Sequence, residues 1–364
     1  MKNNFFKKDL FQFTKQKRLN IELIHQEKNN SKTVLKRFLS KKINLILLII
    51  LMLFIFFLIF LLIFYPYPFN KNIQNSQLFY NLPNYLTPQI TKNFDNNDSF
   101  YLLIKKINNS EIILKENTFL DKIQITYNPY KLIEYLNNQK YIFLFGTNDL
   151  GIDRLANYLF NFAWSIFLVT IITLIQSTIG IFLGITLGFY FNKKFLKISY
   201  FLLNSLTTIP LIIIIIIIFK ITSYNNWKII LFLSLFGFVG FFNVAYNQTQ
   251  NLKKEEYIIA YKSIGTSNLR IIFKYICPKV IFYTFSIWTD NITLNLVVFS
   301  SLAFFNIKDF ESYLNIGNII KNLLNELNNM PYVLFSIINL ILFIFIVKWL
   351  SVNIYSSYEF ILEY

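Results

Sequence analysis

Cysteine and histidine each occur once in 364 residues, as Cys277 and His25. A lone cysteine excludes a disulfide framework and a cysteine metal cluster. A lone histidine in a basic tail leaves no His-based catalytic or metal site, and no Ser/His/Asp or Cys/His arrangement is available. Glycine is scarce, at 9 residues, and no G-x-x-x-x-G-K-[ST] phosphate loop occurs, so the chain is not expected to hydrolyse a nucleotide. Acids are few as well, 19 against 35 Lys and Arg, for a net charge of +16. That charge does not point to nucleic acid. The basic residues gather at the ends of apolar runs and in the first 42 residues, as orientation charges on a membrane protein do.

What is abundant is apolar: 55% hydrophobic and 19% aromatic residues, with Phe 42 and Tyr 23. The bias toward Lys, Asn, Ile, Phe and Tyr is what AT-rich codons encode, so composition alone carries little functional weight. Uninterrupted apolar runs of spanning length carry more, because a soluble chain does not need them. The reading is an all-α polytopic membrane protein. No cleavable signal is expected, since the first apolar run starts near residue 43 behind a basic segment and is too long for a signal core.

Residues 1–42 hold twelve Lys or Arg against Asp9, Glu22 and Glu27, which predicts a cytosolic N-terminal tail. Residues 43–65, apolar but for Asn44, are long enough for a first transmembrane helix. Residues 66–145 then turn Asn-rich, with turn signals at Pro66, Pro68 and Pro83. Short alternations at Phe100–Ile104, Glu111–Leu114 and Ile123–Tyr127 predict some strand in a small mixed extracytoplasmic insertion. Further spans are expected near 163–190, 196–220, 227–247, 279–304 and 332–350, within a core of residues 146–352. Six crossings from a cytosolic start put the basic connections at Asn192-Lys193-Lys194 and 253–279 inside, together with the C-terminal tail 353–364.

Some positions stand out within the spans. Gly180, Gly184 and Gly188 repeat every four residues and offer one helix face for close packing. Pro210, after Asn204, Ser205, Thr207 and Thr208, predicts a kink whose freed carbonyls the hydroxyls can satisfy. Asp290, near the middle of the fifth run, costs about 2.5–3.5 kcal/mol as a central charge on insertion scales. It should therefore face protein or an aqueous cavity. Asn291 and Asn295 share a helical face, which Asp290 does not. With Gln176 and Ser177 in the second span, these polar residues read either as the lining of a solute pathway or as structural interhelical hydrogen bonds, or a span offset leaves Asp290 nearer an interface.

The segment Glu256 to Pro278 is a charged island of small residues between two apolar runs. It resembles the EAA motif, Glu-Ala-Ala-x-x-x-Gly followed by Ile-x-Leu-Pro, of binding-protein-dependent ABC importer permeases. Ala260 falls on the first Ala, Gly265 on the Gly, and Pro278 on the Pro. Ile259 stands for Glu, Tyr261 for the second Ala, Tyr275 for Ile and Cys277 for Leu. Upstream, Phe145-Gly146-Thr147-Asn148-Asp149-Leu150-Gly151-Ile152-Asp153-Arg154-Leu155 is similar to the Leu-Gly-Thr-Asp-x-x-Gly-Arg-Asp-x-Leu start of the permease core in the oligopeptide/dipeptide branch. Phe145, Asn148 and Ile152 depart from it. Asn315-Ile316-Gly317-Asn318 echoes the branch's Trp-Gly-Asn before the last span. The resemblance covers roughly residues 144–350.

The resemblance implies a type I ABC importer permease fold, N-in and C-in, in a bacterial cell membrane. It implies the C-type subunit of an oligopeptide/dipeptide importer, working with a second permease, two ATPase subunits and an extracellular peptide-binding protein. ATP and Mg would then sit on the ATPases, none of it on this chain. The coupling loop 254–278 would lie as a short helix in an ATPase cleft. Glu256 opens it, Ala260 and Gly265 allow close approach, and Tyr257, Ile258, Tyr261 and Ile264 offer apolar contacts. Two alternatives stay open: a non-transporting membrane scaffold, and an importer of the same family for nickel chelates, glutathione or another small solute.

Overall fold

A computed structural model describes residues 31–73, 76–95, 98–107, 111–119, 122–190 and 194–359. The tail before residue 31, with His25 and its three acids, and Asn192-Lys193 lie outside the described residues.

The chain forms α1 (Ser31–Ser40) and α2 (Lys42–Phe64), then β1 (Ile90–Asp95), α3 (Ser99–Ile107), β2 (Ile113–Phe119), β3 (Lys122–Tyr127) and α4 (Pro129–Asn137). The bundle continues with α5 (Arg154–Phe189), α6 (Lys194–Ser205), α7 (Leu211–Thr222), α8 (Asn226–Gly237) and α9 (Val239–Leu252). Last come α10 (Glu256–Ser263), α11 (Asn268–Ile271), α12 (Cys277–Thr284), α13 (Trp288–Phe304), α14 (Ile316–Leu323) and α15 (Met330–Glu359). Among the described residues, five helical stretches are long and apolar enough to cross a membrane. The bent pair α6 and α7 makes a sixth if taken as one span.

The centre of the bundle is the contact between α5 and α9. A Cβ added at Gly180 would come within 2.6 Å of Phe241 Cβ, and one at Gly184 within 2.6 Å of Ala245 Cβ. At Gly188 the neighbour would be Thr249 Cβ, at 2.9 Å. Real side chains cannot sit that close, so the three glycines let the two backbones touch. Each step of four on α5 is matched by a step of four on α9 in the same direction, so the two helices run parallel. Phe189 and Leu252 thus lie at one end of the bundle.

Other contacts fix the remaining directions. Tyr65 Oη donates to Asp153 Oδ2 at 2.5 Å, joining the C-terminus of α2 to the N-terminus of α5. Tyr158 Oη donates to Asn339 Oδ1 at 3.0 Å, while Phe282 stacks on Tyr358 at 5.1 Å, so α15 runs with α5. Asn295 meets Gln176, and the turn after α13 returns to the start of α5, where Asn315 N donates to Asn161 Oδ1 at 2.7 Å. Tyr224 N, just past α7, donates to Lys308 O at 3.0 Å, just past α13. Every pass therefore reverses the one before it.

The expected kink at Pro210 is a full break, with α6 and α7 at 82°. Proline lacks an N–H and its ring crowds the preceding turn. Thr207 and Thr208 hydroxyls turn back onto the Asn204 and Ser205 carbonyls, both at 2.7 Å.

In the insertion, β1 and β2 flank β3 in an antiparallel sheet of order β1-β3-β2. The strand expected at Ile123–Tyr127 is present. The one expected at Phe100–Ile104 is instead helix α3. Asp98 Oδ1 accepts from Phe100 N at 2.8 Å, which starts a helical turn. Tyr101 and Ile104, three apart, then bury one face against Phe94, Ile125 and Tyr127. A five-residue apolar alternation fits either period, and tertiary contact chose the helix. Of the run Glu111–Leu114, only Ile113 and Leu114 enter a strand.

Gly184→Leu should separate α5 from α9, because Phe242 O and Tyr246 N crowd the site as well, at 2.8 and 2.9 Å. Overpacking of this kind costs about 1–3 kcal/mol or more. The expected result is loss of folded protein in detergent, read by size-exclusion chromatography, whereas Phe182→Leu on the exposed face leaves it unchanged.

Candidate functional site

At the end of the bundle holding Phe189 and Leu252, residues 253–279 form a compact projecting loop. Helix α10 ends in a Schellman cap: Thr266 N donates to Tyr261 O at 3.0 Å and Gly265 N to Lys262 O at 3.1 Å. Gly265 occupies the left-handed position with φ +80°, which a side-chain-bearing residue adopts only with strain. Nothing lies within 4 Å of a Cβ built there, so glycine is needed for its backbone, and the space outside it is open.

The faces of α10 divide sharply. Ile258 is buried among Ile185, Leu252, Ile271, Ile272 and Ile276. This corrects its assignment as a contact for a partner: it ties the loop to the bundle. Tyr257 and Tyr261 are half-buried, Tyr257 under Lys279 Nζ at 4.6 Å and Tyr261 stacked on Tyr275 at 4.3 Å. Burial pushes the Tyr257 phenol up to about 12. Glu256 and Ala260 face outward. Ile259 is 53% exposed and Ile264 76%, and Leu269 and Phe273 of the same loop are exposed as well. Pro278 is exposed at the start of α12. Ile259, Leu269 and Phe273 are exposed apolar side chains of this loop that sequence reasoning did not single out; large apolar residues in a charged loop were the signal.

In mid-bundle, Gln176 and Asn295 form a reciprocal amide pair. Gln176 Nε2 donates to Asn295 Oδ1 and Asn295 Nδ2 to Gln176 Oε1, both at 3.2 Å. Gln176 Nε2 also donates to Leu233 O at 2.9 Å, and Asn295 Nδ2 to Thr173 Oγ1 at 3.1 Å. Both side chains are fully enclosed. In this conformation they brace α5, α8 and α13 and do not line an opening, the physical reason being that every donor is already taken within the chain. Asn291 is buried on the same face, donating to Ile287 O at 2.9 Å and lying beside Gly240. Asp290 points elsewhere. It is exposed on the surface of the chain and pairs with Lys348 of α15 at 2.6 Å. Lys348, a cation within the last apolar run, was the unused signal for that partner.

At the opposite end, Phe145 to Leu155 clamps the insertion to the bundle. Thr147 Oγ1 donates to Phe79 O and accepts from Leu82 N. Asn148 Oδ1 accepts from Leu150 N and Ile152 N at 3.0 and 2.8 Å. Arg154 pairs with Glu326 in the loop before α15 and donates to the Leu82 and Phe145 carbonyls, both at 3.2 Å. Asp153 caps α5 by accepting from Leu155 N at 3.0 Å. Burial pushes its carboxyl up to about 6, against the Tyr65 hydrogen bond and Arg154, which pull it down. Burial likewise raises Glu326, with Arg154 opposing.

Two outcomes follow from this geometry. Asn295→Leu strands the Gln176 amide and should cost about 1–3 kcal/mol. The double variant Gln176→Leu with Asn295→Leu should cost less than the sum of the singles, as a double-mutant cycle on thermal unfolding would read. For Asp153, the folded protein binds a proton more tightly than the unfolded chain, so stability increases as pH falls from about 7 through about 6 toward the unfolded carboxyl value. Asp153→Asn, which keeps the cap, should flatten that part of the profile of melting midpoint against pH.

Residues 180–358, from the glycine face of α5 through α15, match the family model described as binding-protein-dependent transport system inner membrane component. The oligopeptide transport system permease protein OppC of Bacillus subtilis is 24% identical over 173 residues, 48% of this chain and 53% of that protein. OppC of Lactococcus lactis subsp. lactis is 28% identical over 138 residues, 38% of this chain and 47% of its own length. The dipeptide transport system permease protein DppC of Bacillus subtilis is 27% identical over 135 residues, covering 37% and 42%. The chain thus spans about half the length of the curated relatives it matches. Through residues 180–358, its bundle and projecting loop, this chain is similar to the family of binding-protein-dependent transport system inner membrane components.

Proposed function

We propose that the chain is the C-type permease subunit of an ATP-driven importer of oligopeptides or dipeptides. The observation that carries this reading is the loop at residues 253–279. It joins a rigid Schellman-capped helix to an open apolar surface at the family's coupling motif. Relatives whose names state oligopeptide and dipeptide transport support the solute class.

Orientation is supported by charge. Lys36, Arg37, Lys41, Lys42, Lys194, Lys253, Lys254, Lys262, Arg270 and Lys274 all belong to segments at the loop end of the bundle, and this gathering of positive charge supports a cytosolic position for that end. Both termini then lie inside and the insertion outside, near an extracellular peptide-binding protein. Six crossings are supported by the alternating direction of the passes. The domains on this reading are the basic tail 1–42, the first helix, the outer module 66–145, the core 146–352 and the C-terminal tail.

The mechanism rests on how the loop is held. Ile258, Ile271, Ile272 and Ile276 anchor its inner face, so the loop moves as one body with α5, α9 and α12. Its outer face, Ile259, Ile264, Leu269 and Phe273, would seat in a cleft of an ATPase subunit. Closure of two ATPases on ATP would swing paired loops and rock the bundles between inward- and outward-facing states. This chain supplies no hydrolytic chemistry in that cycle. The exposed Asp290–Lys348 pair would face a second permease or the path between the two, because a charged pair is costly against lipid.

Purification from the native membrane in mild detergent should recover a second permease and two ATPase polypeptides. Recovery of the chain without ATPases, from a complex shown to survive the detergent, overturns the proposal. Gly265→Arg should insert normally and lose at least ten-fold in ATPase recovery. Gly265→Ala, which meets no neighbour and adds about 1–2 kcal/mol of backbone strain, should keep most of it.

A further inference from the structure

The break between α6 and α7 lies deep in the bundle. Leu211, the first residue of α7, sits against Gly237, where an added Cβ would lie 3.5 Å from Leu211 Cδ2 and overlap the Gln176 amide. Gly237 is near the middle of the stretch Asn226–Leu252, roughly 17 Å from one end and 22 Å from the other at the helical rise. The broken segment is therefore at mid-depth, level with the Gln176–Asn295 pair.

It is also open. Thr207, Thr208, Ile209 and Pro210 are all exposed on the chain. Among the described residues, no group outside the broken span bonds to residues 206–210. A helix that stops and restarts leaves its last carbonyls and first N–H groups without helical partners, and the two threonine hydroxyls answer only Asn204 and Ser205. Irregular backbone at membrane depth is tolerated where protein or a water-filled cavity covers it, and not against lipid. The outer face of α7 beyond the break is of the other kind: Ile213 and Ile217 are exposed and apolar, suited to lipid or a dry interface, and a charge, Lys220, comes only in the last turn.

Resting on the importer reading above, we infer that the break at Leu206–Pro210 faces the water-filled solute path. Its open backbone groups and the Thr207 and Thr208 oxygens offer hydrogen bonds to the backbone of a passing peptide. Peptide amides repeat regardless of side chain, so an unwound turn presenting backbone groups and hydroxyls suits a carrier of many sequences. It also gives the enclosed amide pair a role as a brace that holds α8 behind the break.

The test is cysteine accessibility in the intact complex in membrane vesicles, with Cys277→Ser as background. Thr207→Cys, Thr208→Cys and Ile209→Cys are each treated with the membrane-impermeant quaternary-ammonium methanethiosulfonate, and Ile217→Cys is the comparison. Ile209→Cys sacrifices no hydrogen bond, so it stays informative if a threonine variant folds poorly. Modification at the break at least ten-fold faster than at Ile217, slowed by millimolar trialanine, is the expected result. Rates at the break equal to that at Ile217 overturn the inference and place lipid or the second permease over it. Fast modification indifferent to trialanine overturns the peptide contact. Co-purification of ATPases is scored on the same vesicles, so failure of the importer reading is seen separately from failure at the break.

Discussion

The rest of the architecture depends on the close approach of α5 and α9. Glycine at every fourth position of α5 removes the side chains that would hold the backbones apart, and α9 answers with Phe241, Ala245 and Thr249. In lipid there is little hydrophobic force between helices, so association depends on such packing. Because the two helices run parallel, the chain between them has to return across the bundle, and only α6 with α7 can carry it. A contact of a few ångströms thereby sets the direction of a segment that touches it only in part.

That returning segment is the least regular part of the bundle. A straight helix would cross with all backbone groups satisfied, yet here Pro210 divides it and the halves meet at 82°. The polar features of the bundle gather at the same level: the Gln176–Asn295 pair bracing α5, α8 and α13, and Asn291 beside Gly240. Rigid bracing next to an irregular turn is how a bundle keeps one geometry while leaving backbone open at a chosen depth.

The two ends of the bundle are built on different principles. The loop end carries exposed apolar side chains on a helix whose inner face is locked into the bundle, which suits the coupling role proposed for it. The opposite end is a clamp of buried polar groups, where Arg154 and Glu326, both nearly enclosed, tie the insertion to the turn before α15. Removing one partner of such a pair leaves a buried charge and costs about 3–5 kcal/mol, and the insertion joins the pair through the Leu82 carbonyl, which accepts from Arg154. The residues similar to the family's core-start motif do this clamping through Thr147, Asn148, Asp153 and Arg154, a role that spacing alone does not disclose.

Sequence by itself determined the membrane class, the position of the apolar passes and the glycine face. Each follows from local chemistry: run length and a repeat of four. Tertiary structure decided which way side chains face and whom they meet. Ile258 and Ile259 are neighbours of like hydrophobicity, and only packing shows that one is core and the other open surface. Asp290 is one charge in an apolar run until the fold brings Lys348 to it from 58 residues away. Gln176 and Asn295 suit a lumen or a brace equally well, and 119 residues separate them. Phe100–Ile104 became helix because Asp98 capped it and a sheet lay beneath. Periodicity constrains which face of a segment is apolar, while partners distant in the chain are fixed only once the helices have packed.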